Sequence, residues 1–305
     1  MSFDASLANI FMALFCGARL VCVDQPTIEQ PQRFLRFIRE QRISVATLPP
    51  VYLKALNQPE FPGLQTLITA GEAADAQDAL HYAQSLNVFN AYGPTEVSVC
   101  ATIESVSSLS INEESVVSIG QPITNTDLFI VVDNACIAPI GVPGEIWIAG
   151  DGLAKAYVGD EIGTSQAFVP VPESLQSYAQ RSTMYKTGDL ACWDHRGRLI
   201  YIGRNDHQVK VNAFRVDTRE IEGYLQAHQE IAAAHVASYS INDTHKLAAW
   251  VMPQRHPELW LLWPNSMSMM MFYTGQWMMK RGTSSIRRHL KSIRRIRWLL
   301  KSARL

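Results

Sequence analysis

The chain has 305 residues, of which 47% are hydrophobic and 18% are charged, with a formal net charge of −1. This composition is too apolar for a disordered protein and too mixed for a fibrous one, so it predicts one or two globular domains. No run reaches the ~18 apolar residues that a membrane-spanning helix needs, and the N-terminus lacks the basic residues of a signal peptide. Five scattered cysteines without a CxxC pair favour reduced thiols in a cytoplasmic protein.

The charges are distributed unevenly along the chain. All 28 acidic residues precede position 266, whereas ten of the 27 basic residues and six of the ten methionines follow position 265. We interpret the segment from about Ser266 onward as the translation of a coding segment in the wrong reading frame. Met and Trp have one codon each, so this Met-rich segment can be partly back-translated. In a shifted frame, the same bases encode a string rich in Asp and Glu. The alternative is a genuine basic tail that binds nucleic acid or an anionic membrane, with a basic amphipathic helix over 286–305.

Apolar runs alternate with helical patterns over the first 92 residues. Helices are predicted at 5–16, at 31–41 and in the Ala-rich segment that ends at Ser85. Strands are predicted at 19–23, 43–48, 64–69 and 87–92. This alternation predicts an α/β fold in which helices cover the faces of a parallel sheet.

Beyond about residue 116 the pattern changes to short strands that are separated by Gly and Pro turns. Strands are predicted at 116–119, 128–132, 145–149, 184–193, 198–203, 208–211, 214–216, 234–239 and 246–252, and a helix at 219–229. Residues 194–197 end in Gly197 and predict the turn of a hairpin. This part of the chain is therefore expected to be β-rich.

The segment 90–96, Asn-Ala-Tyr-Gly-Pro-Thr-Glu, directly follows a predicted buried strand. It would lie at the carboxyl edge of a parallel sheet, where such sheets bind ligands. There Tyr92 can stack on a base, Thr95 can hydrogen-bond a phosphate oxygen, and Glu96 can bind Mg²⁺. From these residues alone, a surface turn with a helix-capping Thr is an equally good interpretation.

Five motifs occur in a fixed order along the chain. They are Phe3-Asp4-Ala5-Ser6, the segment 90–96, the segment 144–157, Tyr185-Lys186-Thr187-Gly188-Asp189-Leu190 and the segment 203–210. Together they resemble the adenylation domains of nonribosomal peptide synthetases, which belong to the superfamily of AMP-forming ligases that also holds acyl-CoA synthetases and luciferases. The resemblance covers about residues 1–252.

The resemblance implies a partial adenylate-forming-enzyme fold: a parallel sheet with helices, a β-rich subdomain and the start of a small C-terminal α+β subdomain. It divides the chain into a truncated large subdomain at 1–203, a hinge and the start of the small subdomain at 204–252, and an atypical tail at 253–305. Asp206 matches the hinge residue about which the small subdomain rotates.

The resemblance also implies an activity, namely the formation of an aminoacyl-adenylate from an amino acid and ATP with Mg²⁺. The amino acid would then pass to the phosphopantetheine of a peptidyl carrier protein, beside neighbouring synthetase domains. By motif position, Tyr92 packs on adenine and Asp189 accepts hydrogen bonds from both ribose hydroxyls. Thr95 matches the α-phosphate contact and Glu96 the Mg²⁺ ligand, which makes these two the implied catalytic residues. The implied nucleotide site comprises Gly71, Glu72, Ala73, Asn90, Tyr92, Gly93, Thr95, Asp189, Tyr201 and Arg204.

The amino-acid site follows from the same motifs. Asp4 matches the carboxylate that binds the substrate ammonium. The implied pocket wall is neutral and mostly small: Ala5, Ala8, Thr47, Ile68, Ala70, Ala91, Val99 and Cys100. Because this wall could not pair a charged side chain, and because Ala8 stands where a Trp is often found, an aromatic amino acid is the expected substrate.

Three departures from the family pattern bear on activity. The Gly/Ser/Thr-rich phosphate loop does not precede Phe3, and the Asn-Gly-Lys segment with the substrate-orienting lysine does not follow. Asn212-Ala213 replaces an Arg-Gly pair in the loop after the hinge. We therefore expect a chain that is truncated at both ends and inactive when isolated.

Two alternatives remain open. The first is an acyl- or aryl-CoA ligase of the same superfamily, which would not need Asp4 because a plain acid has no ammonium group. The second is a non-catalytic fragment with a basic tail that binds nucleic acid or membrane. We favour an amino-acid substrate, with no nucleic-acid and no membrane partner.

Overall fold

The computed structural model describes residues 4–107, 110–111, 116–205, 208–211, 214–229, 231–241, 244–253, 268–273 and 276–279. The chain divides into two compact units, Met1–Val216 and Asp217–Leu305. None of the helices in the described ranges is long and apolar enough to span a membrane.

The first half of the first unit forms a five-stranded sheet with helices. Its elements are α1 (Ala5–Phe15), α2 (Gln25–Ile28), α3 (Pro31–Glu40), β1 (Val45–Thr47), α4 (Pro50–Leu56), β2 (Thr66–Ala70), α5 (Ala76–Ala83), β3 (Asn87–Tyr92), β4 (Thr102–Ser105) and β5 (Gln121–Pro122). The strand order is β1-β2-β3-β4-β5, in which β1, β2 and β3 are parallel and the last two strands are antiparallel. This arrangement confirms the predicted α/β class.

One face of this sheet carries the core of the region. Leu67 of β2 is fully buried and Val88 of β3 nearly so, and they pack with Phe34 and Ile38 of α3 and with Tyr82 of α5. Helix α1 differs, because none of its residues is buried and Phe15 is 82% exposed.

Two predicted strands of the first unit are wrong. Residues 19–23 have no strand conformation, and they do not pair with β1, which is the edge strand of the described sheet. Residues 116–119 contribute only one isolated bridge, in which Val117 pairs with Ile111, and the neighbouring Gly120 forms a second with Leu199. Helix α4 was not predicted, although Pro50 at its first position favours a helix start.

The second half of the first unit is an antiparallel sheet, as the β-rich pattern predicts. It contains β6 (Thr126–Val132), β7 (Cys136–Ile137), β8 (Gly144–Gly150), α6 (Glu161–Ala167), β9 (Phe168–Pro170), β10 (Thr183–Trp193) and β11 (Leu199–Arg204). The order is β11-β10-β8-β6-β7, and β9 pairs with β10. Ile130, Ile146 and Leu199 are fully buried in its core.

The remaining strands form two further sheets. β12 (Gln208–Val211) pairs with β13 (Phe214–Asp217). In the second unit, α7 (Thr218–Gln226) packs on β14 (Ile231–Ile241), and an antiparallel sheet continues through β15 (Thr244–Pro253), β16 (Ser268–Tyr273) and β17 (Gln276–Met279). The helix that the basic-tail alternative places at 286–305 lies outside the described residues, and the frameshift interpretation stays a prediction.

We expect Ile146→Ala to lower the free energy of unfolding by about 2–5 kcal/mol, because it leaves a cavity in the core of the second sheet. The measurement is urea denaturation of the whole chain, followed by circular dichroism. The matched control is Ile162→Ala in α6, where the side chain is 73% exposed and the expected change is within about 0.5 kcal/mol. Equal effects at both positions would contradict the described core.

Candidate functional site

The carboxyl ends of the three parallel strands bring several predicted site residues to one edge of the first sheet. Thr47 ends β1, Gly71-Glu72-Ala73 follows β2, and the segment 93–96 follows β3. Gly71 has φ +94°, in the left-handed region that favours glycine. The chain therefore turns sharply at this edge, where open parallel sheets bind ligands.

Asp4 and Thr95 meet at this edge although 91 residues separate them. The Thr95 hydroxyl donates a hydrogen bond to Asp4 Oδ2. The other carboxylate oxygen, Oδ1, accepts from the backbone N–H of Ala5 at 2.7 Å and so caps the N-terminus of α1. The group predicted to bind the substrate ammonium thus lies within hydrogen-bonding distance of the group predicted to contact the α-phosphate.

A buried cluster surrounds Asp189, whose side chain is 2% exposed. Its Oδ1 accepts from Arg204 Nη1 at 2.7 Å and from the Tyr201 hydroxyl at 3.2 Å, and its Oδ2 accepts from the Tyr92 hydroxyl at 2.6 Å. Arg204 also donates to the carbonyl oxygen of Thr187 at 3.0 Å. Four residues predicted to bind the nucleotide therefore form one hydrogen-bonded group.

The ring of Tyr92 is buried in this cluster. Its exposed fraction is 6%, and its centroid lies 6.1 Å from that of Tyr201. Burial, followed by the negative charge of Asp189, holds the pKa of Tyr92 well above its usual value. The hydroxyl therefore stays protonated and remains a donor to Asp189, while the predicted contact with adenine stays a prediction.

Asn90 lies on the same face of β3 as Tyr92 and is 2% exposed. Its side-chain amide donates to the carbonyl oxygen of Ser118 at 2.8 Å. This bond ties β3 to the segment that leads into β5, so the described role of Asn90 is to hold the strand. Its predicted place in the nucleotide site stays a prediction.

Glu96 lies in a single 3₁₀ turn at 95–97 and is 9% exposed. Its Oε1 accepts from the Tyr157 hydroxyl at 2.6 Å, and that hydroxyl lies 3.2 Å from the hydroxyl of Tyr185. Burial, followed by the hydrogen bond to Glu96, raises the pKa of Tyr157. Tyr157 is therefore a neutral donor to the carboxylate.

The donor set around Glu96 fits Mg²⁺ bound together with a nucleotide. Among the described residues, no group of three or more His, Cys, Asp or Glu side chains could hold a metal ion. Mg²⁺ commonly uses one or two carboxylates and takes its other ligands from substrate phosphates and water. One carboxylate beside the predicted phosphate contact, Thr95, is consistent with that mode.

The predicted amino-acid pocket residues of the sheet share one face. The register pairs Thr47 with Ile68 and Ala70 with Ala91, and neither pair lies on the face that carries the core. The Thr47 hydroxyl donates to Asn9 Oδ1 of α1 at 2.8 Å. Because positions three and four apart share a helix face, Ala5 and Ala8 lie on the face of α1 that carries Asn9 or next to it. This hydrogen bond brings α1 to the sheet at one point, and the pocket itself stays a prediction: Ala5, Ala8, Thr47, Ile68, Ala70 and Ala91.

The last two pocket residues, Val99 and Cys100, lie in a strained turn. Val99 has φ +76°, which is an outlier for a β-branched residue. The turn packs directly on Gly93, where an added Cβ would lie 2.6 Å from the carbonyl oxygen of Val99 and 2.7 Å from the N–H nitrogen of Ala101. Gly93 is therefore needed for this close approach. Burial raises the pKa of the Cys100 thiol, so the thiol is neutral, while its place in the pocket wall stays a prediction.

Sequence reasoning missed several side chains that hold the site together. Tyr157 and Tyr185 lie inside two of the five motifs but were given no role, and their place beside Glu96 depends on contacts across 61 and 28 residues. Asn9 follows Ala8 directly, and its helical spacing from Ala5 was the signal that could have found it. Asp206 and Asn212-Ala213 lie outside the described residues.

We expect Asp189→Ala to lower the free energy of unfolding by about 3–5 kcal/mol, because it leaves the buried Arg204 guanidinium without its charged partner. Thermal and urea denaturation of the whole chain measure this change. The control is Asp151→Ala, which removes the partner of Arg181 from a pair whose side chains are both about half exposed. That pair should contribute about 0–1 kcal/mol. A loss at Asp189 no larger than at Asp151 would contradict the buried cluster.

Comparison with known proteins gives a consistent assignment. A family model described as AMP-binding enzyme matches residues 1–158. Among curated proteins, tyrocidine synthase 1 of Brevibacillus parabrevis is 40% identical over 77% of this chain, and gramicidin S synthase 1 of Brevibacillus brevis is 36% identical over 84%. The matched regions cover 21% and 23% of those two proteins, so the chain spans about a fifth of their length.

Solved structures match most of the chain as well. A nonribosomal peptide synthetase protein that contains adenylation and PCP domains is 28% identical with a TM-score of 0.71, over 85% of this chain and 53% of that one. The Vibrio cholerae adenylation domain AlmE, in complex with glycyl-adenosine-5'-phosphate, is 26% identical with a TM-score of 0.72, over 86% of this chain and 50% of that one. The resemblance to nonribosomal peptide synthetase adenylation domains is confirmed, and the chain belongs to the AMP-binding enzyme family.

Proposed function

We propose that this chain is the part of an adenylation domain that activates an aromatic amino acid as its aminoacyl-adenylate. The carboxylate of the amino acid attacks the α-phosphate of ATP, which releases pyrophosphate and forms the mixed anhydride. This reaction needs positioning and charge stabilisation rather than a protein nucleophile.

The hydrogen bond between Thr95 and Asp4 is the observation that carries the proposal. In an aminoacyl-adenylate, the ammonium group and the phosphorus are separated only by the α-carbon and the carboxyl group. An ammonium acceptor and a phosphate donor must therefore be close neighbours in an enzyme that makes this compound. A ligase for a plain acid needs no anionic acceptor there, so Asp4 favours an amino acid over an acyl or aryl substrate.

The cluster around Asp189 supports the nucleotide part of the proposal. The carboxylate and the phenol of Tyr201 offer the polar groups that a ribose requires, and Arg204 supplies positive charge beside them. Glu96 would hold Mg²⁺, which supplies charge neutralisation at the phosphates. When a ribose binds, its hydroxyls would replace some of the tyrosine hydroxyls that now donate hydrogen bonds to Asp189.

The composition of the predicted pocket wall supports an aromatic side chain as the substrate group. Four of its members are alanines, Ala5, Ala8, Ala70 and Ala91, and small side chains leave room for a ring. Thr47 uses its hydroxyl on Asn9, so its methyl group is what remains to face an apolar ligand. Burial of an aromatic side chain in such a site contributes about 1.5–3 kcal/mol.

We also propose that the activated amino acid passes to the phosphopantetheine of a peptidyl carrier protein in a larger synthetase of the cytoplasm. The structural match to a protein that contains adenylation and PCP domains supports this partner. The expectation that the isolated chain forms no adenylate stays a prediction, which ATP–pyrophosphate exchange by the chain measures.

We test the substrate class by calorimetric binding of three non-hydrolysable sulfamoyl analogues of acyl-adenylates: phenylalanyl, glycyl and 3-phenylpropanoyl. The phenylalanyl compound should bind about tenfold or more tightly than the other two, because it alone has both the ammonium and the ring. In Asp4→Asn, the preference for phenylalanyl over 3-phenylpropanoyl should largely disappear. Asn remains a good helix cap, so α1 is preserved.

The matched control is Asp75→Asn, which makes the same change at the N-cap of α5 and should leave all three affinities unchanged. Equal affinity of the chain for the phenylalanyl and 3-phenylpropanoyl compounds would contradict an amino-acid substrate. Tighter binding of the glycyl compound would contradict the aromatic side chain.

A further inference from the structure

We infer that Tyr157 is a positioning residue for Glu96, and that it holds the carboxylate in the orientation in which it binds the Mg²⁺ of the nucleotide. This inference rests on the function proposed above for Glu96, and it assigns a role to a residue outside the nucleotide and amino-acid sites. Tyr157 itself touches neither the metal nor the substrate in this scheme.

The contact between Tyr157 and Glu96 belongs to a larger attachment between two segments. The backbone N–H of Ala154 donates to the carbonyl oxygen of Glu96 at 2.8 Å, and the Ser98 hydroxyl donates to the carbonyl oxygen of Gly152 at 2.7 Å. The segment 152–157 therefore lies along the turn 95–98 and is bonded to it at three points. An added Cβ at Gly152 would lie 3.0 Å from the carbonyl oxygen of Val97, so the approach is close.

Tyr157 makes three further contacts, two through its side chain and one through its backbone. Its ring packs edge-on against Phe168 at a centroid distance of 5.4 Å, and its backbone N–H donates to the Thr164 hydroxyl at 3.0 Å. Its hydroxyl lies 3.2 Å from that of Tyr185, which is 1% exposed. Because the Tyr157 hydroxyl is held in place, its hydrogen bond also fixes the position of the Glu96 oxygen that accepts it.

The direction of the hydrogen bonds follows from the chemistry of the groups. An ionised carboxylate can only accept, so Tyr157 donates to Glu96 at 2.6 Å. The oxygen of Tyr157 then accepts from the Tyr185 hydroxyl, which gives a chain from Tyr185 through Tyr157 to Glu96. A donor already bonded to a carboxylate reduces the number of orientations that the carboxylate samples before the cation arrives. Loss of a hydrogen-bond partner of a metal ligand typically lowers metal affinity by about 10–100-fold.

A packing role for Tyr157 gives a different expectation from a positioning role. If only the ring mattered, Tyr157→Phe would keep the contact with Phe168 and leave Mg²⁺ binding unchanged. If the hydroxyl positions Glu96, the same substitution should raise the Mg²⁺ concentration that is needed to strengthen ATP binding. It should cause no matching loss of ATP affinity in the absence of the metal.

The experiment measures ATP binding to the whole chain by calorimetry over a series of Mg²⁺ concentrations. The Mg²⁺ concentration at half of the full effect should rise about tenfold in Tyr157→Phe and by a smaller factor in Tyr185→Phe. It should stay unchanged in Tyr178→Phe, which removes a hydroxyl from a side chain that is 64% exposed. Circular dichroism confirms that each variant is folded. If Tyr157→Phe does not fold, the inference is tested by Tyr185→Phe, in which an unchanged Mg²⁺ concentration at half effect would contradict it.

Glu96→Gln separates this inference from the proposed function. If Glu96→Gln loses the Mg²⁺ effect and Tyr157→Phe keeps the value of the unmodified chain, Tyr157 is a packing residue and the inference is overturned while the metal role of Glu96 stands. If Glu96→Gln itself keeps the Mg²⁺ effect, the metal role of Glu96 is overturned and the inference falls with it.

Discussion

The buried carboxylate of Asp189 needs hydrogen-bond donors, and one of these donors comes from the other sheet of the first unit, so the bond joins the two sheets. Tyr92 ends β3 in the first sheet, whereas Asp189 and Tyr201 lie on β10 and β11 of the second. Removing an ionised carboxylate from water costs several kcal/mol unless hydrogen bonds and an opposite charge replace its hydration. The Tyr92 phenol supplies one of these bonds across the boundary between the sheets. The contact that satisfies Asp189 therefore also fixes the edge of the first sheet.

Hydroxyl groups also donate to two further carboxylates of the site, since Asp4 accepts from Thr95 and Glu96 accepts from Tyr157. Hydroxyl groups suit this position because they donate without carrying charge and can rotate to a new acceptor. A lysine or arginine in their place would bind each carboxylate more strongly and would compete with a cationic ligand. Hydroxyl–carboxylate pairs thus keep the folded chain stable without ligand while the carboxylates remain acceptors for one.

Local patterns predicted the elements whose formation depends on nearby residues. The apolar run at 87–92 predicted β3 with its observed bounds, Asn87–Tyr92. The apolar run at 19–23 has the same local signal but forms no strand and pairs with none of the described strands. Strand formation requires a partner, and the presence of that partner is not a local property. The motif order identified which residues to expect at the site, but not that Asp4 and Thr95 would meet.

The residues that sequence reasoning treats least well are those where the backbone departs from its preferred conformations. Val99 at φ +76° opposes the conformational preference of a β-branched residue, and Ser98 before it is also left-handed, at φ +59°. This turn is stabilised from outside: the N–H of Ala101 donates to the carbonyl oxygen of Tyr92, and the missing side chain of Gly93 lets residues 99–101 approach it. Strain of this size persists only where surrounding contacts determine the conformation. Its position beside Thr95 and Glu96 places the cost at the edge where the proposed ligand groups converge, and there local preference yields to the requirements of a site.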